Sequence, residues 1–242
     1  MRIGRAATHD GTVFVREEGE GLVRIEDPYR AFAAGREPAD LGPAEGVLLA
    51  PSDPLVVVGI AQNGPDHVSP VQAWLKSPRT IVGSGVPVLL RRDAGQVVAE
   101  GEIAVVLGRG TDGLTAENAH EYVLGITAVD DLSSPDRSSF DPRNFESKSG
   151  AGYTPLGPWI DTALDLDDVA LRLEIDGVTV AATGAAALPV PIRRCLAYVA
   201  AWSPLGPGDV VMTGAPFSQN AVRPGQVVAV TVGGVRLETP LR

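Results

Sequence analysis

The chain lacks several features that would place it in a common class of protein. Cys195 is its one cysteine, which excludes an internal disulfide. No apolar stretch has the length that crossing a bilayer requires, and no signal-peptide pattern opens the sequence, so we expect a protein of the reducing cytoplasm with no membrane partner. Neither a GxGxxG nor a P-loop arrangement occurs, and their absence removes the common nucleotide-binding folds.

Basic charge is also scarce. Twenty basic residues against thirty acidic ones give a net charge of −10, which repels nucleic acid and anionic membranes. Only Lys76 and Lys148 are lysines, and the other eighteen basic residues are arginines. Where arginine supplies nearly every cation, a remaining lysine can be present for its compact ammonium and adjustable pKa, although a biased genome would produce the same scarcity. We therefore expect at least one of the two lysines to lie in a functional site.

A pair of glutamates is the most informative feature that is present. Glu100 and Glu102 open the apolar run at residues 103–107, and an acidic pair, Asp130-Asp131, closes the apolar segment that follows. Residues two apart in a strand point to the same side, so both glutamate carboxylates can converge on one point. Their face continues into the apolar run and so turns inward, where carboxylates need a cation or a hydrogen-bond network. The pair indicates a metal site, and a solvated strand edge is the alternative.

Short strand-like runs and turn residues dominate the chain and predict a mainly β fold with a few helices, of the α+β class. The apolar content rises after residue 50, which predicts a small N-terminal β-rich annex at residues 1–50 and a main domain at residues 51–242. Turn chemistry predicts hairpins that join residues 87–90 to 97–107, 169–175 to 178–182, and 227–232 to 235–241. Helices are predicted over residues 28–34, 115–122 and 192–202.

Blocks with characteristic residues follow one another from about residue 55 to residue 240. They are Asn63-x-x-x-His67, Trp74-Leu75-Lys76, Glu100-Gly-Glu102, Gly125-x-Thr127 leading to Asp131-Leu-Ser133, Lys148, Pro155-Leu-Gly-Pro-Trp159, Gly208-Asp-Val-Val and Thr213-Gly-Ala-Pro216. In order and spacing these blocks resemble the fumarylacetoacetate hydrolase family, in its C-terminal catalytic domain. The resemblance implies a rolled, mixed β-sandwich that binds a metal ion and is usually a homodimer.

The resemblance also implies which residues hold the metal. Glu100, Glu102 and Asp131 would be its ligands, and Asp130 would be a neighbour that does not bind it. The resemblance implies that the ion is Mg²⁺ or Mn²⁺, and three carboxylates would provide about half of an octahedral shell of oxygen ligands. The remaining positions would take water or a 2-oxo acid, whose enolate the cation would stabilise.

Further residues receive catalytic or substrate-binding roles from the same resemblance. Lys148 would neutralise oxyanion charge or move a proton. His67 would act as general acid or base on the entrance loop, and a hydrogen-bonded loop histidine is the alternative. The residues expected to contact a small-molecule substrate are Lys76, Asn63, Arg137 and Thr213. For Lys76, a structural salt bridge is an equal alternative.

Several family positions are substituted, and the substitutions bear on the reaction. Pro70 stands where hydrolytic members pair the loop histidine with a glutamate that activates water. Pro135 replaces an arginine, for which Arg137 can compensate, and Ala215 replaces a threonine expected to hold a substrate carboxylate. Decarboxylation and isomerisation need no activated water.

The sequence therefore favours a metal-dependent decarboxylase or isomerase that acts on a 2-oxo acid or related enolisable compound through a metal-bound enolate. An acylpyruvate-type C–C bond hydrolase is the first alternative, with Asp66 or Asp136 in place of the missing base. A catalytically silent member of the family, or a specialised biosynthetic enzyme with a bulkier and less anionic substrate, is the second.

Overall fold

The computed structural model describes residues 1–62, 66 and 68–242, and strands make up most of the regular structure in these residues. The strands are β1 (Arg2–Thr8), β2 (Gly11–Glu18), β3 (Gly21–Ile25), β4 (Asp40–Ala44), β5 (Val47–Leu48), β6 (Val57–Gln62), β7 (Val71–Lys76), β8 (Ile81–Val82), β9 (Val97–Leu107), β10 (Val123–Asp130), β11 (Thr154–Pro155), β12 (Ile160–Asp161), β13 (Ala170–Ile175), β14 (Val178–Gly184), β15 (Val210–Met212), β16 (Gln219–Val222), β17 (Val227–Val232) and β18 (Val235–Pro240). The α-helices are α1 (Pro28–Ala33), α2 (Phe145–Lys148) and α3 (Ile192–Trp202).

One large mixed sheet contains most of the strands. Its order is β4-β3-β2-β1-β12-β10-β9-β15-β6-β7, with β16 paired to β9 and β5 paired to β1. The β15–β6 pair is parallel, whereas the other pairs along this order are antiparallel. The long strand β9 lies near the middle of the sheet and is buried along nearly its whole length.

A second sheet, β14-β13-β17-β18, is antiparallel and packs on the first. The two sheets touch where Gly101 of β9 faces Val230 of β17, since a Cβ added at Gly101 would lie 3.4 Å from both Cγ atoms of Val230. Leu173 of β13 lies in the same apolar cluster as Val230 and the β9 residue Ile103. The layers therefore form the mainly β sandwich that the sequence predicts.

Most of the local predictions are confirmed. The hairpins β13–β14 and β17–β18 form at the Asp-Gly and Gly-Gly turns, and Asp176 and Gly177 both have the positive φ angles that the first turn needs. Helices α1 and α3 occupy the predicted ranges. The helix predicted over residues 115–122 is a shorter 3₁₀ turn, Ala119–Tyr122.

The hairpin predicted between residues 87–90 and 97–107 is wrong. Val88 instead bridges Leu241, and its amide donates to the carbonyl of Pro240 at 2.9 Å. Strand β9 pairs with β10, β15 and β16. A central strand offers hydrogen bonds on both edges, and here distant segments of the chain occupy them in place of the neighbouring run.

Residues 1–50 join the rest of the large sheet through β12. Arg2 pairs with Asp161, and Ile3 pairs with Ile160. The division into an annex at residues 1–50 and a catalytic domain at residues 51–242 stays a prediction. None of the helices that the structure describes combines the length and the apolar composition needed to cross a membrane.

Candidate functional site

The pairing of β9 with β10 brings three carboxylates together. Glu100 and Glu102 lie on the same side of β9, and Asp131 directly follows β10. Val129 is opposite Glu102 in the ladder, and the amide of Asp131 donates to the carbonyl of Glu100 at 2.9 Å. One carboxylate oxygen from each of Glu100, Glu102 and Asp131 lies within 4.8 Å of the other two. Glu102 is 2% exposed, so the alternative of a solvated strand edge is wrong for this residue.

The two lysines of the chain meet at one of these carboxylates. Lys148 at the end of α2 donates from Nζ to Oδ2 of Asp131 at 2.6 Å and also to Oε2 of Glu100. Lys76 at the end of β7 donates to Oδ1 of Asp131 and to the carbonyl of Tyr153 at 2.7 Å. Both lysines are buried. Each oxygen of Asp131 therefore accepts from a different ammonium group.

Further donors orient the glutamates. The amide of Gly214, in the turn after β15, donates to Oε2 of Glu102 at 2.9 Å. The hydroxyl of Ser133 donates to Oε2 of Glu100 at 2.9 Å, and the side-chain amide of Gln219 donates to Oε1 of Glu100. The sequence patterns did not predict the contacts of Gly214 and Gln219. The Gln219 contact depends on the pairing of β16 with β9, for which the sequence carries no local signal.

Burial and charge act in opposite directions on the acids of the site. Burial, reinforced by the negative charge of Asp131, raises the pKa of Glu102 well above its ordinary value. Burial alone would also raise the pKa of Asp131, but the Lys148 and Lys76 ammonium groups outweigh it and hold this pKa below its ordinary value. Asp131 and Glu100 likewise raise the pKa of Lys148 against the effect of burial. Glu102 is the carboxylate whose charge is least compensated.

This donor set fits a divalent cation. When all five groups are ionised, three carboxylates and two ammonium groups leave one net negative charge, and Glu102 lacks an ion-pair partner among the described residues. Oxygens on opposite sides of an octahedral Mg²⁺ ion are about 4.2 Å apart, so the cluster has the dimensions of a site for such an ion. Carboxylate oxygens are the ligands that Mg²⁺ and Mn²⁺ prefer.

The neighbouring Asp130 lies outside this group. Its Oδ1 accepts from the amide of Glu100 at 3.2 Å. Its Oδ2 is buried without a hydrogen-bond partner among the described residues, and burial raises the pKa of Asp130 to about 8. The cluster of carboxylates contains Asp131 and not Asp130.

A cavity of about 380 Å³ opens beside the carboxylates. Glu100, Glu102 and Lys148 line it, and Trp74 lines it with its ring centroid 5.3 Å from the Nζ of Lys148. An aromatic ring at this distance attracts the ammonium through its electron-rich face. The turn at residues 214–217 forms another part of the wall. A small molecule in this cavity would lie beside both the carboxylates and the Lys148 ammonium.

The remaining predicted substrate contacts, and the predicted general acid or base His67, lie away from this wall or outside the described residues. Arg137 does not line the cavity, and its Nε donates to Glu146 at 2.8 Å. The Thr213 hydroxyl is buried and donates to the carbonyl of Ile103 at 2.9 Å. Asn63 and His67 fall outside the residues that the structure describes. The roles given to these four residues stay predictions.

Comparison with known proteins identifies the family. Residues 47–241 match the family described as fumarylacetoacetate (FAA) hydrolase C-terminal. This chain belongs to the fumarylacetoacetate hydrolase family. The resemblance inferred from the ordered sequence blocks is therefore confirmed, and the fold agrees with solved structures from the same family. Family members are enzymes that depend on divalent metal ions and act on small molecules.

Three similar proteins illustrate the range of the family. The solved structure of 5-carboxymethyl-2-hydroxymuconate delta-isomerase from Mycobacterium smegmatis is 34% identical, covers 100% of this chain and 99% of that one, and has a TM-score of 0.88. Protein Rv2993c of Mycobacterium tuberculosis is 29% identical over 97% of this chain and 95% of its own length. A 4-hydroxyphenylacetate degradation bifunctional isomerase/decarboxylase of Salmonella dublin is 28% identical over 69% of this chain and 39% of its own length. Similar proteins thus include isomerases and decarboxylases, and a hydrolase is also among them.

Proposed function

We propose that this protein is a divalent-metal-dependent enzyme that decarboxylates or isomerises a 2-oxo acid or a related enolisable compound. The observation that carries the proposal is the convergence of Glu100, Glu102 and Asp131 beside a cavity that Lys148 also lines. A structural salt-bridge cluster would not need a third buried carboxylate such as Glu102, whose burial is costly without a cation.

The three carboxylates would hold Mg²⁺ or Mn²⁺. A bound divalent cation would supply positive charge that stabilises the negative charge developing on a 2-oxo acid when a neighbouring bond breaks. The Gly214 amide and the Ser133 hydroxyl keep the Glu102 and Glu100 carboxylates in place for this task. The Gly214 amide occupies one oxygen of Glu102 and leaves the other available to a metal. Both oxygens of Glu100 accept hydrogen bonds, at Oε2 from Ser133 and Lys148 and at Oε1 from Gln219, so Glu100 would bind a metal through a lone pair that these donors leave open.

Among the residues that the structure describes, Lys148 is placed to act on the substrate. Its raised pKa keeps the ammonium protonated, so it can neutralise an oxyanion or hold a proton at Nζ. The Trp74 ring and the carboxylates of Asp131 and Glu100 hold this Nζ at the cavity wall. This restraint reduces the reorganisation needed when charge develops on the substrate.

The described lining of the cavity has no carboxylate besides Glu100 and Glu102 that could activate water, which favours decarboxylation or isomerisation over hydrolysis. Asp136, which could replace the missing base of hydrolytic members, lies away from this lining and accepts from the amide of Gln96 at 2.8 Å. An acylpyruvate-type hydrolase remains the alternative outcome of the product analysis below.

The oligomeric state and the cellular location proposed for this protein are those expected from its family. We infer a homodimer in the cytoplasm. The exposed Leu75 on the edge strand β7 supports an association surface, since an edge strand with apolar side chains favours pairing. Sedimentation equilibrium of the purified protein checks the dimer.

Metal titration tests the central proposal. We expect Mn²⁺ to bind one site per chain, and we expect Glu102→Ala to weaken binding by about 100-fold or more because one of three ligands is lost. Glu20→Ala is the matched control, since Glu20 is exposed and remote from the cluster. Equal affinity in both variants would refute the metal site.

Product analysis tests the reaction. The Mn²⁺-loaded protein is incubated with oxaloacetate, an unsaturated 2-oxo diacid and an acylpyruvate, and the products are separated. We expect decarboxylation or double-bond isomerisation that chelation of the metal abolishes. Fast acylpyruvate cleavage with the other two compounds untouched would identify a hydrolase. No turnover of any compound, together with tight metal binding, would favour a catalytically silent member.

A further inference from the structure

We propose that the substrate carries an uncharged, apolar tail, which this cavity holds against the part of its wall that contains Leu188 and Phe217. This inference rests on the proposed function, which supplies the 2-oxo acid end of the substrate. It concerns the other end of the molecule, which the metal and Lys148 do not contact.

Charge is confined to one part of the cavity wall. The charged residues among the described lining are Glu100, Glu102 and Lys148, and the Lys148 ammonium contacts the Glu100 carboxylate. Apolar side chains form much of the remaining wall, among them Ile60, Leu188, Pro189, Pro216 and Phe217, and its uncharged polar residues are Ser133, Ser138, Asn144 and Ser147. A ligand that fills the cavity therefore needs a polar end and an apolar end.

Among the lining residues that the structure describes, a second carboxylate would find no cation on the apolar wall. Arg137 is held elsewhere, because two of its nitrogens donate to Glu146 and its guanidinium lies 5.4 Å from the centre of the Phe140 ring. Lys148 already donates to two carboxylates of the site. An ionised group placed against apolar side chains without a partner is strongly disfavoured.

Phe217 marks the mouth of the cavity. Its side chain is 84% exposed although it lines the cavity, so a ligand that reaches the rim would cover it. Its backbone has a φ of 60°, in the left-handed region that residues other than glycine rarely adopt. Conformations of this kind cluster at ligand-binding positions. An exposed aromatic ring at the rim is suited to an apolar tail, since covering it removes apolar surface from water.

The space available agrees with a tail of several carbons. A cavity of about 380 Å³ lies near the lower end of the range found for small-molecule sites. It can take the –CO–COO⁻ head of a 2-oxo acid together with a short hydrocarbon chain.

Equilibrium binding of three acids tests the inference. Pyruvate, 2-oxohexanoate and 2-oxohexanedioate are titrated into the Mn²⁺-loaded protein, since they share a head and differ in the tail. We expect 2-oxohexanoate to bind about tenfold or more tightly than either of the others, because only its tail is both long and uncharged. Equal or tighter binding of the diacid would overturn the inference while leaving the proposed function intact. Failure of all three to bind would overturn the proposed function and the inference with it.

A charge introduced at the rim gives a second test. Phe217→Arg is expected to weaken 2-oxohexanoate binding by about threefold or more and to strengthen binding of the diacid, with pyruvate unchanged. Trp202→Arg is the matched control, since Trp202 is 80% exposed and lines a different surface pocket. Both positions are exposed, so neither change is expected to prevent folding. An unchanged ratio of the two affinities in Phe217→Arg would overturn the inference.

Discussion

Two ammonium groups and three carboxylates share one buried cluster, in which Asp131 and Lys148 stabilise each other's charge. Asp131 accepts from both lysines of the chain, and this double contact holds its pKa low inside the protein. Glu102 has a backbone amide as its donor and no cation among the described residues. The scarcity of lysine in the sequence is thus matched by the position of both lysines in the candidate site.

Removal of the Lys148 charge should separate catalysis from metal binding. Lys148→Met is expected to lower kcat by about 100-fold, in the range for loss of a group that moves protons or neutralises charge. Mn²⁺ should bind at least as tightly, since a positive charge beside the ligands is lost. Arg143→Met serves as the control, because Arg143 is an exposed cation away from the cavity. Weaker Mn²⁺ binding with unchanged kcat would contradict this role.

Cys195 should be unreactive in the folded protein. Its side chain is buried on α3, and burial raises the pKa of its thiol to about 12. Treatment with iodoacetamide at pH 8 should leave the native protein unlabelled, and mass spectrometry should find one adduct per chain in denaturant. Rapid labelling of the native protein would show that α3 opens readily.

At the scale of elements, the contact between β6 and β7 positions two side chains of the site. Gly59 of β6 lies opposite Trp74 of β7, and its missing side chain leaves room for the indole ring. A Cβ at Gly59 would lie 2.5 Å from two ring atoms of Trp74. The same strand β7 ends at Lys76, so this hairpin carries both the aromatic wall and a buried ammonium.

Gly59→Ala should therefore destabilise the fold. We expect a loss of about 1–3 kcal/mol in the free energy of unfolding, because overpacking forces Trp74 or the strand to move. Urea denaturation measures the change. Gly21→Ala is the matched control, since a Cβ there would lie at an ordinary 3.6 Å from the carbonyl of Glu18. Equal stability of the two variants would mean that Trp74 repacks at no cost.

At the scale of the whole molecule, the first fifty residues extend the large sheet without lining the candidate site. The cavity beside the carboxylates has no described lining residue before Ile60. Val15 of β2 is fully buried in the main apolar cluster, together with residues of β9 and β17. We infer that residues 1–50 contribute stability, whereas the catalytic groups lie in residues 51–242.

Shortening a buried side chain in residues 1–50 should therefore lower stability without changing metal binding. Val15→Ala is expected to lower the free energy of unfolding by about 1–3 kcal/mol, because it leaves a cavity in the packed interior. The Mn²⁺ affinity at 25 °C should be unchanged. Val47→Ala, at a position that is largely exposed, should leave both quantities unaltered. A loss of Mn²⁺ affinity in Val15→Ala would contradict the division at residue 50.

Much of the local structure was predictable because its causes are local. The alternation of side chains along a strand placed Glu100 and Glu102 on one face, and tight turns with positive φ angles defined the hairpins β13–β14 and β17–β18. The apolar face of α3 likewise follows from the helical repeat. Resemblance to the family adds the predictions that Glu100, Glu102 and Asp131 bind a metal and that Lys148 acts beside them, and the structure brings these four side chains together.

The sequence by itself determined the elements and the face on which the two glutamates stand, since these depend on residues only a few positions apart. Tertiary structure alone decided which distant strands flank β9. The incorrect hairpin predicted at residues 87–107 shows that a favourable turn sequence does not determine which strand pairs with a central strand. It also decided that both lysines meet Asp131 and that Gln219 reaches Glu100. The physical reason is that register between remote strands depends on packing summed over the whole sheet, which no short segment encodes.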